Sequence, residues 1–545
     1  AQAFADYAAD VDVQAHQELS EKDKEIRKSH ASLLILDELQ FEAKVITVPL
    51  IFAIFVATVT QFSVGYNTGV MNAPVDVVFP GHSLTSWSLA VAAFAVGGPL
   101  GASVGGNMAD SRGRRGALLI DMWTFLLGGL LQALAPDMIT IIVSRFIIGF
   151  ASGYSSVLVP VYLGEMAPPS LRGAMGTLTQ FALVIGILVS DLLAFPFATD
   201  SLWRILFAVT AITAALQLLT APFLLESPRW LLTRDRHSLK ARYIIKQLRG
   251  LKTDEEVERE VTNFVMAAGG HKAEGSESQL TLLWEMFRKP KIRLLLISSL
   301  VLQMSQQLCG INAVFYYSTI FFKGVIDDPL VGTTILGAVN VVATYIALLL
   351  MDKCGRKTLI LWSSGGMFLG CIFIVLSLLG VFGKSKFISL IAMNEYVIFF
   401  EIGLGPIPWL IVAEMFDTKY VAAAMSLSSQ VNWASNFIVG LVFPYMNKYL
   451  GPWSFGPFAG VLALCFFYSL FILPETQGTT PQELAADMVT RNSVSVTYQP
   501  RDDTAPDAID QEWRKAMEQL MKEEEQQMET GQYDYGFKPV ERDVV

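Results

Sequence analysis

Apolar residues occur in twelve long runs along the chain, and short polar gaps separate most of them. A helix needs about 20 mostly apolar residues to cross the hydrocarbon core of a bilayer. The pattern therefore predicts an all-helical membrane protein with twelve transmembrane helices. The predicted spans, numbered 1 to 12 in chain order, are 45–66, 84–109, 116–135, 138–164, 173–196, 202–225, 292–321, 330–351, 358–382, 387–415, 421–443 and 453–473.

A long charged loop divides the spans six and six. We expect short helices in this loop, between Leu239 and Phe264, and a charged helix at Asp510–Glu529 in a tail that is otherwise largely disordered. The predicted organisation is an N-terminal segment (1–44), a six-helix bundle (45–225), a linker (226–291), a second six-helix bundle (292–473) and an acidic tail (474–545).

Three motifs recur in the two halves in the same order. Basic loops follow spans 2 and 8, and glutamates end spans 4 and 10 and follow spans 6 and 12. Glu165 and Glu414 are 249 positions apart, as are Glu226 and Glu475. Two parallel, pseudo-symmetric six-helix bundles are the layout of major facilitator transporters, whose substrate site lies between the halves.

Composition agrees with a lipid environment. Apolar residues make up 52% of the chain and charged residues 17%, whereas soluble domains carry about 25% charged residues. Lys and Arg follow spans 2, 4, 8 and 10 but not spans 1 and 3. Because such residues favour the cytoplasmic side, we expect both termini and the linker to be cytoplasmic. The net charge of −10, concentrated in the two ends, gives no reason to expect a nucleic acid partner.

Candidate catalytic and metal-binding chemistry is missing from the sequence. The four cysteines form no C-x-x-C pair, and the five histidines belong to no evident metal or catalytic cluster. Gly383-Lys384-Ser385 ends like a phosphate-binding loop, but Leu378 stands where that motif needs glycine. We therefore expect a protein that is not an enzyme and needs no metal or cofactor.

Amide side chains are concentrated in particular spans. An amide donates and accepts hydrogen bonds as a sugar hydroxyl does, so these side chains suit a neutral polyol. They could instead join helices, since interhelical amide hydrogen bonds are common in membranes. The amides are Gln180, Gln303, Gln307, Asn312, Asn340, Asn432 and Asn436.

Two spans contain residues that interrupt a helix. Gly310 permits a break in span 7, after which Asn312 can point into the same space as Gln307. Pro406 and Pro408 remove two backbone donors from span 10. The proline run predicts either a structural kink or a hinge beside a cavity that bends as access alternates.

Several of these stretches resemble one family. The run from Gln306 to Thr319 resembles the span 7 signature of animal-type facilitative glucose transporters, and Gly405–Trp409 resembles their span 10. Four further segments resemble sugar porter motifs: residues 159–165, 171–174, 226–229 and 474–476. The resemblance covers roughly residues 45–480. It implies the major facilitator fold and facilitative hexose transport.

The resemblance also implies a sugar site built mainly by the second half. The matching binding positions are Gln180, Gln306, Gln307, Asn312, Asn340, Glu401, Trp409 and Asn436. Phe315, Phe400 and Trp433 match aromatic residues of the cavity wall, and Tyr316 and Tyr317 match the outer gate. Gln303-Met304-Ser305 is close to the Gln-Leu-Ser form of glucose-preferring members, which favours glucose over fructose.

Charged residues at the cytoplasmic ends of the spans match a set of ion-pairing residues in the family, which we call the latch. In the family these pairs tie the helix bundles together when the site is open to the outside. Val421 stands where the family usually has arginine after span 10, and Lys419 lies nearby. The latch residues are Arg112, Arg114, Arg115, Glu165, Arg172, Glu226, Arg356, Lys357, Glu414 and Glu475.

Coupling to protons is the main alternative to passive transport. Proton-coupled relatives usually carry an Asp in span 1 near the arginine of span 4. Here Asn67 occupies that position, and Arg145 remains without that partner. This favours a uniporter, with Asp191 as the remaining acid without a role. A sensor that binds sugar without transporting it is a further alternative. We expect a monomer in the plasma membrane.

Overall fold

The part of the chain that the structure describes contains twelve helical spans, as the apolar runs predict. In this computed structural model, the described residues are 46–168, 171–269, 279–323, 326–351, 353–382, 386–416, 419–477, 479 and 483–484. The predicted segment 1–44, the helix at Asp510–Glu529 and nearly all of the acidic tail lie outside them. Eleven stretches are long and apolar enough to span a bilayer, and the last, Val421–Phe471, contains both span 11 and span 12.

The helices of the two halves correspond in number and order. The first half contains span 1 (Val48–Gly69), span 2 (Leu84–Arg112), span 3 (Arg114–Ala133), span 4 (Met138–Met166), span 5 (Arg172–Phe197) and span 6 (Trp203–Thr220). The second contains span 7 (Pro290–Leu308 and Ile311–Phe322), span 8 (Pro329–Met351), span 9 (Arg356–Leu378), span 10 (Lys386–Ile402 and Ile407–Met415), span 11 (Val421–Leu450) and span 12 (Gly456–Phe471).

Polar side chains cap several spans at their first turn. Thr47, Ser83 and Asp137 each accept a hydrogen bond from a backbone N–H of the helix that follows. Such caps satisfy donors that have no partner within the helix. The local sequence therefore sets where spans 1, 2 and 4 begin.

Small residues let spans 2 and 4 approach closely. A Cβ added to Gly101 would lie 1.9 Å from the carbonyl oxygen of Phe150, and one added to Gly153 would lie 1.9 Å from that of Gly98. Gly97 and Gly149 meet similar backbone contacts. This is the small-residue packing by which membrane helices gain van der Waals contact without a hydrophobic driving force.

Four short helices form the linker: α1 (Pro228–Arg234), α2 (Leu239–Arg249), α3 (Asp254–Gly269) and α4 (Gln279–Arg288). α1 and α2 pack on the first half, where Arg249 donates to the carbonyl oxygen of Met166 at 2.8 Å, and α3 packs on α1 and α2. α4 packs on the second half. We call the end of the bundles that carries these helices the linker face, and the opposite end the far face.

The halves meet along two pairs of helices. Span 2 packs against span 11, and span 5 packs against span 8. At the far face, Asn72 donates to Ser318 Oγ at 2.6 Å and accepts from the backbone N–H of Thr319 at 3.0 Å. Asp76 and Lys323 form an ion pair beside this contact. Among the described residues, no hydrogen bond or ion pair joins span 4 to span 10 at the linker face.

Gly113 and Gly355 occupy equivalent turns before spans 3 and 9 but differ in backbone conformation. Gly113 has φ 85° and ψ 162°, a region that is almost exclusive to glycine, whereas Gly355 has φ −60°. A Cβ at either position would crowd a glutamate carboxylate, at 2.4 Å from Glu226 and 2.2 Å from Glu475.

We expect Gly113→Ala to lower the free energy of unfolding by about 1–3 kcal/mol more than Gly355→Ala, because only the first adds backbone strain. Thermal unfolding of the purified variants in detergent measures the difference. Equal losses would mean that the carboxylate contact, rather than the backbone, sets the cost.

Candidate functional site

Span 7 is divided where the sequence predicts a break. Its two helices end at Leu308 and begin again at Ile311, and Gly310 adopts φ 95° between them. A Cβ at Gly310 would lie 2.4 Å from the ring of Phe458, so both the backbone and the packing require glycine. The break brings amides from the two pieces of span 7 into one region.

Span 10 is divided as well, between Ile402 and Ile407. Side chains of span 7 bind the carbonyl groups of the divided segment. Gln306 Nε2 donates to the carbonyl oxygens of Leu404 and Gly405 at 2.9 and 2.6 Å, and Gln303 Nε2 donates to that of Pro408 at 3.0 Å. These bonds supply the partners that backbone carbonyls need in a region without water. The structure thus confirms the expected interruption and shows that Gln303 and Gln306 brace it.

Asn432 of span 11 joins the braced amides into a network. Its Nδ2 donates to Oε1 of Gln303 at 2.7 Å and to Oε1 of Gln306 at 2.6 Å. Its Oδ1 accepts from Gln307 Nε2 at 3.1 Å, and Gln307 Oε1 accepts from Asn312. These amides therefore join spans 7 and 11, which is the interhelical role that the sequence allows.

Unused hydrogen-bonding capacity lies on spans 8 and 10, where Glu401 Oε2 is 3.2 Å from the position that a Cβ on Gly405 would take. Asn340 is fully buried, and neither Oδ1 nor Nδ2 has a hydrogen-bond partner among the described residues. Oε2 of Glu401 is also buried without one. Gln180 of the first half and Thr344 interact with the Glu401 side chain. These groups come from both halves and retain donors and acceptors for a ligand.

The aromatic residues take different positions. Phe315 and Phe400 are buried in the core of the second half, and Trp409 is partly exposed. Trp433 packs between the halves, with its ring 5.8 Å from that of Phe94 and directly against Gly98 of span 2.

The two gate tyrosines both bind span 11. The Tyr316 hydroxyl donates to Asn436 Oδ1 at 3.1 Å, and the Tyr317 hydroxyl donates to the carbonyl oxygen of Gly440 at 2.7 Å. Tyr316 is 1% exposed and Tyr317 is 2% exposed. They belong to the closed far-face region of this conformation.

Arg145 of span 4 is fully buried, and no carboxylate among the described residues pairs with it. Its Nη1 donates to the carbonyl oxygen of Asn67 at 2.7 Å, and its guanidinium carbon lies 4.5 Å from the centre of the Phe94 ring. The Asn67 side chain instead donates to Thr210 Oγ1 at 3.0 Å. A backbone oxygen and a ring face thus take the position that a span 1 acid would hold.

The latch residues of the first half form a compact cluster at the linker face. Arg114 binds both carboxylate oxygens of Glu165, at 2.8 and 2.9 Å. Oε1 of Glu226 accepts from the backbone N–H groups of Arg114 and Arg115, at 2.8 and 3.1 Å. A carboxylate in this position satisfies the first donors of span 3 and favours its helix dipole.

The second half repeats this arrangement. Arg356 binds Oε1 of Glu414, at 3.0 and 3.1 Å, and the Glu475 carboxylate accepts from the backbone N–H groups of Arg356 and Lys357 at 2.7 and 3.1 Å. All of these contacts join elements of one half. In this conformation they brace each half, whereas the family resemblance implies contacts that tie the bundles together.

Arg112 and Arg172 are the remaining basic residues of the latch, and Lys419 is a candidate addition to it. Arg112 is exposed, and no ion pair within the described ranges includes it. The side chain of Arg172 lies outside the described residues. Lys419, a candidate replacement for the missing arginine after span 10, pairs with Glu285 of α4 at 3.0 Å.

Sequence reasoning missed two features. Asn72, which joins the halves at the far face, lies in a polar gap that gave no signal of contact with span 7. Asp121 of span 3 is a buried acid, as Asp191 is, and both of its carboxylate oxygens lack a hydrogen-bond partner in the described part of the chain. An acid inside the apolar run of span 3 was the available signal for Asp121.

The chain is similar to known transporters over most of its length. A protein-family model described as "Sugar (and other) transporter" matches residues 53–488. Solute carrier family 2, facilitated glucose transporter member 3, from Ovis aries is 39% identical over 463 residues, which cover 81% of this chain and 92% of that protein. The Homo sapiens protein of the same name is 38% identical, with the same coverage.

Solved structures with the same fold include a bacterial transporter. The inward-open conformation of the xylose transporter XylE from E. coli superposes with a TM-score of 0.68 at 25% identity, over 80% of this chain and 99% of that one. The proton:xylose symporter XylE bound to 6-bromo-6-deoxy-D-glucose gives a TM-score of 0.65 at 24% identity, over 81% and 99%.

Gln306, which bonds to span 10, and Asn340, which has no side-chain hydrogen bond among the described residues, are expected to contribute differently to stability. Gln306→Ala leaves two carbonyl groups of span 10 without their side-chain donor, so we expect it to lower the free energy of unfolding by about 1–3 kcal/mol. Asn340→Ala breaks no side-chain hydrogen bond and is expected to cost less. Thermal unfolding of both variants measures this order, and a larger loss for Asn340→Ala would contradict the bracing role of Gln306.

Proposed function

The chain belongs to the sugar transporter family, and we propose that within it the chain is a facilitative carrier of hexose, with D-glucose as the first candidate substrate. The observation that carries this proposal is the set of buried side-chain atoms on Asn340 and Glu401 that have no hydrogen-bond partner among the described residues. Neutral hydroxyl groups can both donate to and accept from such a set. The resemblance of Gln303-Met304-Ser305 to glucose-preferring members favours D-glucose.

In the proposed site, Asn340 and Glu401 bind sugar hydroxyl groups directly. Gln180 contributes from the first half through its contact with Glu401, and Trp409 supplies an apolar face for the sugar ring. The acceptor and donor positions left on Gln307 and Asn312 complete the polar side. Gln306 has a double role, because it both holds span 10 and faces the same network.

Alternating access would proceed by opening and closing the two ends in turn. The contacts of Asn72 with Ser318 and Thr319 support a conformation that is closed at the far face. We propose that the linker face is cytoplasmic, because the basic loops lie there, and that this conformation opens to the cytoplasm of a cell whose plasma membrane holds the chain. The divided spans 7 and 10 are the proposed hinges.

The environment of Arg145 supports uniport over proton coupling. In a proton-coupled carrier, an acid beside this arginine could take up and release a proton. Asn67 cannot do so, and the Arg145 guanidinium instead binds a backbone oxygen and the Phe94 ring. Sugar movement would then depend on the sugar gradient alone.

Proton symport remains the second candidate because of two buried acids. Asp191 of span 5 lies at the contact with span 8, where its Oδ2 is 3.0 Å from the position that a Cβ on Gly337 would take. Asp121 of span 3 interacts with Tyr154 of span 4. Carboxylic acids buried in membrane spans are costly and are often functional.

The binding role of Asn340 predicts a loss of affinity. Asn340→Ala should raise the half-saturating D-glucose concentration by roughly three- to tenfold, the effect of one or two neutral hydrogen bonds. Asn394→Ala is the matched control, because Asn394 is an amide of span 10 that binds the carbonyl of its own helix. Tracer uptake into proteoliposomes measures both variants, and an equal effect of the two would argue against this site.

Transport by the purified chain distinguishes the two candidate functions. Proteoliposomes should equilibrate labelled D-glucose without accumulating it, whether or not an inward proton gradient is imposed. Excess unlabelled hexoses, added one at a time, rank the substrates. Accumulation driven by the proton gradient and abolished in Asp191→Asn or Asp121→Asn would establish symport instead. Binding without any uptake would indicate a sensor.

A further inference from the structure

α4, the last linker helix, has two unlike faces. Met286 is fully buried against the core of the second half, and Leu282 and Leu283 pack on the same core. On the other side, Trp284 is 66% exposed and Phe287 is 44% exposed. Two large aromatic side chains exposed on one short helix form an apolar patch, and exposed apolar patches commonly mark interaction sites.

The position of α4 is fixed by a charged cluster, so this exposure is not a matter of loose packing. Glu285 pairs with Lys289 at 2.6 Å and with Lys419 at 3.0 Å, and it accepts from the Tyr420 hydroxyl at 2.9 Å. Hydrogen bonds from Lys289 first, and then from Lys419 and Tyr420, lower the pKa of Glu285 to about 2. The carboxylate therefore stays ionised near neutral pH and continues to hold α4 against span 11.

The exposed side of α4 continues into a basic turn. The sequence from Arg288 to Arg293 contains four basic residues and no acid, and no acid occurs between Glu285 and Asp327. Arg288 stacks on Trp284, with its guanidinium carbon 5.2 Å from the ring centre. Arg288 and Arg293 are both exposed. The charge of this surface is complementary to an anionic partner.

The exposed surface of α4 lies close in sequence to the start of span 7. Trp284 precedes the first residue of the apolar stretch, Ile292, by eight positions. Tryptophan is enriched at the boundary between headgroups and hydrocarbon, and clusters of four or more basic residues next to a span favour anionic headgroups. An aromatic pair with adjacent arginines at this level is the combination that a charged lipid surface recognises.

We propose that Trp284, Phe287, Arg288 and Arg293 form a binding surface for anionic phospholipid at the linker face. The two aromatic rings enter the headgroup region, and the two guanidinium groups bind lipid phosphate. Arginine suits this role because its planar donor groups can bind a phosphate at two points. The surface lies outside the sugar site and does not depend on which sugar the chain carries.

Quenching by lipid tests the aromatic half of this proposal. The full chain is reconstituted in phosphatidylcholine vesicles containing one part in five of phosphatidylserine, with acyl chains brominated near the headgroup. The difference in fluorescence between the wild type and Trp284→Phe isolates the emission of Trp284. We expect bromine to quench this emission and aqueous iodide to have little effect. Quenching by iodide and not by bromine would overturn the proposal.

Lipid retention tests the charged half. Arg288→Gln/Arg293→Gln should reduce the phosphatidylserine that co-purifies with the chain by about fivefold for each charge removed, with phosphatidylcholine unchanged. Lys240→Gln/Lys252→Gln is the matched control, because it removes two exposed linker charges outside this surface. Mass spectrometry of the retained lipids measures both. An equal loss in the two double variants, or no loss in either, would contradict a phospholipid site here.

Discussion

A membrane interior without water requires every backbone carbonyl to find a partner within the protein, and the divided span 10 meets this requirement through span 7. Gln306 donates to the carbonyl of Leu404, which loses its helical donor at Pro408, and Gln303 donates to the carbonyl of Pro408 itself. The same two amides are then held by Asn432, so spans 7, 10 and 11 converge on one polar region. The polar site exists where it does because two interrupted helices satisfy each other there.

At the linker face, the same arrangement of glutamate and arginine contacts occurs in both halves. Glu226 and Glu475 each accept from two successive backbone N–H groups at the start of a span, and an arginine from the same turn binds a glutamate at the end of another. These bonds fix the angle between neighbouring spans within a half. Each half can therefore move as a unit, which alternating access requires.

The sequence was sufficient to predict the spans, the division into halves and the breaks in spans 7 and 10. These depend on composition and on single residues such as Gly310, whose effects are local. The sequence could not predict which residues contact one another across helices. Spacing shows which side chains share a helix face, but not which residues of other helices they contact. Gln306 could therefore be assigned to the polar region but not to the carbonyls of span 10. The contacts of Asn72 were missed for the same reason, whereas the acid Asp121 inside the apolar run of span 3 was visible in the sequence.

Arg145 has a consequence for the energetics of turnover. Its guanidinium keeps its proton under all ordinary conditions, and Asn67 beside it is neutral. The contact between Arg145 and Asn67 therefore carries the same charge over the ordinary pH range. The free-energy difference between two conformations receives no protonation contribution from this contact.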